Sequence, residues 1–189
     1  MDRSVKTVLF VVLLVFFVSF TILTGVTSVF SEELQEALDA RTCLIWIEGQ
    51  QLGEMIIGAR AQMGFILVDS KLKDLVAGNP DAPDWLRWHS SHFGTGPAGR
   101  ELFIIRYKTF KPWDFDPEKV FINGSQLQRE DIVTRKAFTR QGLLPSDVSG
   151  TIAVFAPLGN MKQQDNVKLL PLAYGEYSGI LEIPLSVGK

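Results

Sequence analysis

The chain has one cysteine in 189 residues, Cys43, so no intramolecular disulfide can brace it. In "TCLIWI" that thiol reads as a small buried apolar residue, and a domain of this size can bury a core without a staple. Histidine is almost as scarce, with only His89 and His92. There is no His-Glu-x-x-His and no Gly-x-Ser-x-Gly, which removes the zinc-peptidase and nucleophile-elbow hydrolase classes. The formal net charge is −2 and no basic run follows residue 31, so neither nucleic acid nor anionic lipid headgroups are expected partners. No internal repeat and no low-complexity segment interrupts the chain.

Charge is also missing from one long stretch. Residues 7–31, "TVLFVVLLVFFVSFTILTGVTSVFS", carry none, while Arg3 and Lys6 precede them and the acidic "SEELQEALD" follows. About 20 apolar residues suffice for a helix to cross a bilayer, and the flanking basic residues keep the N-terminus cytoplasmic. Residues 1–31 are therefore expected to be a signal-anchor in the inner or plasma membrane, with the body extracytoplasmic. The alternative is a signal peptide cleaved near Ser31, which would leave a secreted or periplasmic protein. No cysteine sits where lipid attachment would need one.

Residues 32–99 read as a mixed α/β region of uncertain autonomy. "EELQEALDA" should be helical with Leu34, Ala37 and Leu38 on one face, a possible stalk on the membrane helix. "TCLIWIE" reads as buried strand or buried helix, and "QQLGEMIIGARAQM" has helical spacing weakened by Gly53 and Gly58. "NPDAPDWLRWHSSHF" suggests a helix capped by Asp81, with Trp85, Trp88, His89 and His92 sharing a face. From residue 100 short β-leaning segments recur: "ELFIIRYK", "KVFI", "SQLQ", "IVTRKAF", "TIAVFAP", "NVKLLPLAY" and "GILEIPL". "FINGSQ" is the sharpest local signal, since Asn-Gly supplies a type I′ hairpin turn. The expected fold is α+β and mainly β, residues 100–189 forming an antiparallel sandwich of immunoglobulin-like general appearance.

Four stretches bear on chemistry. In "RYKTFKPWDFDPEKVFINGSQ" the alternating Asp114, Asp116 and Glu118 resemble the start of a calcium loop, but Lys119 stands where that loop needs glycine and Ser125 where it needs glutamate. The same stretch is expected to be a sheet corner. Its sharper reading is an exposed partner-binding rim of Phe110, Trp113 and Phe115. His89 and His92, three apart, could share a metal if Asp84 or another acid completed the set. "GTGPAG" follows a helix and opens a strand, the reverse of a dinucleotide-binding loop. "SKLK" has serine acyl-enzyme spacing without that class's companion motifs, and reads as a charged turn or helix start.

With catalytic groups sparse, the leading expectation is an exported, tethered, non-enzymatic domain that binds a protein or envelope partner, with no cofactor. The alternatives are a metal-binding module or small enzyme centred on His89 and His92, and a glycan or small-ligand binder using tryptophans as platforms.

Overall fold

The computed structural model describes residues 31–136 and 139–185; the expected anchor or signal peptide lies, apart from Ser31, outside the described residues. Among the described residues no helix is long and apolar enough to cross a membrane. The fold is mainly β with three helices, an α+β arrangement of antiparallel sheets.

Helix α1 (Glu32–Asp39) begins at Ser31, whose ψ of 133° is not helical and whose hydroxyl accepts from Leu34 N–H. It is not a stalk. Leu34, Ala37 and Leu38 are buried against the sheet, because an eight-residue amphipathic helix gains more by packing than by standing in water. Strands β1 (Thr42–Ile47) and β4 (Ala61–Val68) flank a small hairpin of β2 (Gln50–Leu52) and β3 (Met55–Ile57). The helical spacing read in this region is overridden by Gly53 and Gly58, both at positive φ, where the chain turns. Leu52, Met55 and Ile57 consequently stay exposed on the hairpin.

Helix α2 (Ser70–Gly78) is capped by Asp69, which accepts from Leu72 N–H at 2.8 Å and pairs with the buried Arg41 at 2.8 Å. Helix α3 (Asp84–Ser90) has Pro83, not Asp81, at its cap position, with no side-chain cap bond. Asp81 N–H instead donates to Asn79 Oδ1 within the preceding turn. Then come β5 (Arg100–Thr109), β6 (Trp113–Phe115), β7 (Val120–Ile122), β8 (Ser125–Gln126), β9 (Gly142–Leu144), β10 (Ser149–Pro157), β11 (Lys162–Gln164), β12 (Val167–Tyr174) and β13 (Tyr177–Pro184).

Strands β1, β4, β5 and β10 form one antiparallel sheet in that order. Residue 99 is thus no structural seam: two strands of this sheet come from before it and two from after. In the second sheet β12 is flanked by β13 on one side and by β7 and β11 on the other, while β8 extends it beyond β7. The turn joining β7 to β8 is the expected Asn-Gly hairpin, with φ of 50° at Asn123 and 77° at Gly124.

Alternation along the first sheet builds two cores. Ile45, Met63, Phe65, Phe103, Ile105, Tyr107 and Val154 face the second sheet, meeting Phe115, Ile122, Leu170 and Leu172. Ile66, Val68, Leu102, Ile104 and Phe155 point the other way, under the three helices. Central strands β4 and β5 are buried on both faces over much of their length, which is why "GFILV" and "LFII" read as unbroken apolar runs. Each such side chain contributes about 1.5–3 kcal/mol on burial.

The described part of "IVTRKAF", residues 132–136, is not the expected strand. Ile132 makes a single bridge to Val154, Val133 N–H donates to Ala153 O, and Thr134 Oγ1 accepts from Ala153 N–H. This segment closes the open edge of β10, a position that otherwise invites unwanted pairing.

Candidate functional site

The acid- and aromatic-rich stretch before the hairpin is a sheet corner. In β6, paired with β9, Trp113 and Phe115 point inward and Asp114 outward. Phe115 is fully buried and its ring lies 4.6 Å from Tyr107, 5.2 Å from Trp113 and 6.1 Å from Tyr174. Tyr174 ties the corner down: its hydroxyl donates to Asp114 O and accepts from Asp116 N–H, both at 3.0 Å. An exposed rim needs these rings at the surface, so that expectation fails for Trp113 and Phe115, which the β period turns inward. Of the three, only Phe110 is exposed, and it stacks on Trp46 at 6.1 Å.

The acids are engaged locally. Asp116 caps a short 3-10 turn (Pro117–Lys119) by accepting from Glu118 N–H, and Glu118 pairs with Arg129 at 2.7 Å. With Gln141 they line a hollow of about 460 Å³.

The histidines lie across the molecule, beside α3. His89 is 2% exposed, with Nε2 3.0 Å from Thr151 Oγ1 and its ring 4.8 Å from that of Trp88. Burial, aided by the neighbouring His92, pushes its pKa down to about 4, so the ring is neutral at pH 7. Its Nδ1 is buried with no partner. An orphaned N–H costs more than an orphaned lone pair, because the carbonyl or water it needs is absent. The favoured tautomer therefore carries the proton on Nε2 and donates to Thr151. In that state His89 is no base toward the threonine hydroxyl, whose own proton is free to point into the cleft.

Asp84 is not brought to His89. It is exposed, five residues earlier on α3, and about 140° round the helix at 3.6 residues per turn. Among the described residues no three His, Cys, Asp or Glu side chains gather as a metal site. Instead Trp85, Trp88, His89 and His92 form one wall of a cleft of about 650 Å³, faced by Thr134, Arg135 and Thr151.

That cleft adjoins a surface the sequence reading missed. The helices cover only half of their side of the first sheet. Thr42, Ile66, Ile104 and Ala153 form a row across the four strands that ends the covered half. The next rows in register are Leu44–Gly64–Arg106–Thr151 and Trp46–Gln62–Lys108–Ser149. Leu44 is 53% exposed, Arg106, Lys108 and Ser149 are exposed, and Trp46, Gln62 and Thr151 are half-buried. Arg106 lies 4.6 Å over the Trp85 ring and Lys108 lies 5.7 Å over Phe110, both close enough for cation–π attraction. Neither cation forms an ion pair among the described residues. Between α1 and α3 this floor sinks into a hollow of about 380 Å³. Its signal was present in sequence: "RYK" ends the apolar run of β5 with cations on alternate positions, which marks one face turning to solvent.

No family model, no curated protein and no solved structure matches the chain.

Proposed function

We propose that the protein is an exported, membrane-tethered, non-enzymatic domain that binds an envelope partner through the uncovered half of its four-stranded sheet. The observation carrying the reading is the pair of exposed rows in which Leu44, Trp46, Arg106 and Lys108 face water on a sheet whose other half lies under helices. A sheet face left apolar and cationic lowers stability unless something else covers it, and exposed aromatic–arginine patches are the usual anchors of interfaces. The uncharged segment 7–31 supports the tether. A tether raises the effective concentration of a membrane-side partner, so a modest surface suffices. Two antiparallel sheets facing across one core support the sandwich reading, with the helical layer as an addition.

The test is site-specific photocrosslinking in the native membrane. A photoreactive residue at Leu44 or Lys108 should give an adduct, and one at Glu182, exposed on β13, should not. Absence of an adduct from both sheet-face positions, or the same adduct from Glu182, refutes the assignment. Intact masses from membrane and soluble fractions test the tether: a chain beginning near Glu32 in the soluble fraction would remove it.

A further inference from the structure

Resting on that reading, we infer that the envelope partner is an acidic polysaccharide. It lies across the exposed rows, a sugar ring stacking on Trp46 and its carboxylates meeting Arg106 and Lys108.

Charge points to an anion. The chain is acidic overall, yet two cations sit in adjacent rows of one face without ion-pair partners among the described residues. One acid, Asp39, borders the same hollow and accepts from the neutral Gln35 amide at 2.8 Å, so cations outnumber acids there two to one. The Arg106 guanidinium is held over Trp85 by its face, which leaves its N–H edges for a planar carboxylate.

The remaining groups suit sugars. Aromatic rings offer flat apolar faces to pyranose C–H groups, while Gln62, Ser149 and Thr151 offer amide and hydroxyl partners for ring hydroxyls. With its proton on Nε2, His89 donates to Thr151 Oγ1 across 3.0 Å, and the threonine proton is free to turn outward. Gly64, between Leu44 and Arg106, is buried beneath the Leu44 side chain, which a Cβ there would approach to 3.2 Å. The rows cross strands about 4.8 Å apart, close to one pyranose per strand.

A polypeptide is the poorer fit. An extended peptide gains affinity from main-chain bonds at a sheet edge. The β10 edge is already occupied by residues 132–134, and β13 crosses against β1, with Gly179 packed on Cys43. A ligand on the face must be recognised by side chains alone.

The experiment uses full-length protein in detergent, titrated by calorimetry with oligomers of polygalacturonate and hyaluronate, with dextran as the neutral glycan and poly-L-glutamate as the acidic polypeptide. Saturable binding of a uronate polymer is expected, with none of dextran and at least tenfold weaker binding of polyglutamate. Arg106→Gln and Trp46→Ala should each weaken it about tenfold, the first by losing one charge-assisted contact and the second by losing a stacking surface. Arg106 is exposed, so the first variant should keep the wild-type melting temperature. Equal affinity for polyglutamate, no binding of either uronate polymer, or full affinity in both variants overturns the assignment. Should a sheet-face crosslink form while the glycans fail, the glycan class falls and the binding face stands. If no sheet-face crosslink forms either, the face itself falls.

Discussion

Truncating Phe115 to alanine separates a core corner from a binding rim. The ring has no exposed surface and touches three aromatic neighbours, Tyr107, Trp113 and Tyr174. Phe→Ala in a core costs about 3–5 kcal/mol, which includes the transfer of the ring and the cavity left behind. Strand β6 has three residues and sits at the edge of the core, so partial collapse places the expected value near 3 kcal/mol. For a domain of this size that corresponds to a fall in Tm of about 6–12 °C. Phe110→Ala is the control. Phe110 is 39% exposed, and the substitution loses one stacking partner, one cation contact and part of the ring's burial, for about 1–2 kcal/mol. Thermal unfolding of full-length protein in detergent, followed by circular dichroism, reads both. A Phe115→Ala melt within 3 °C of wild type, or an equal fall for Phe110→Ala, would refute the corner assignment.

The same corner shows what sequence can and cannot carry. "WDF" has strand alternation with both aromatics on one side, but three residues do not say whether that side meets this chain's own core or a partner. The facing came from Tyr174, 59 residues downstream of Phe115, whose hydroxyl fixes both flanks. Local signals fared better. Asn123-Gly124 fixed its own turn because the required φ values belong to those residues. The buried face of α1 followed from Leu34, Ala37 and Leu38 at helical spacing. The stretch from Gln50 to Met63 misled because apolar residues met the helical template by coincidence, while glycines at positive φ decided the backbone. The exposed sheet rows were hidden for a different reason: Leu44, Gly64, Arg106 and Thr151 are neighbours only through register, and no window of the sequence holds them together.

Two glycines give opposite expectations. Gly150 abuts the ring and hydroxyl of the buried Tyr107, which itself donates to Arg140 O at 2.7 Å, so Gly150→Ala should destabilise by about 1–3 kcal/mol through overpacking. Gly78, last in α2, has open space where a Cβ would go, so Gly78→Ala should stabilise by about 0.4–1 kcal/mol. Denaturant midpoints read both, and a neutral Gly150→Ala would mean that Tyr107 is not fixed. The remaining prediction concerns pH. In the unfolded chain His89 takes a proton near its ordinary value of 6.5, whereas in the fold burial holds it neutral down to about 4. Between those values the unfolded state binds the extra proton, so stability is full above pH 6.5 and falls as the pH drops toward 4. The loss is at most about 3 kcal/mol at 1.36 kcal/mol per unit. His89→Gln keeps a donor for Thr151 and removes the titration, and carboxylate contributions cancel in the comparison of wild type with variant. Urea unfolding of both at pH 7, 5.5 and 4.5 should give a wild-type profile that falls more steeply than the variant's. Parallel profiles would mean that His89 takes up its proton in place, on the buried Nδ1, without loss of stability.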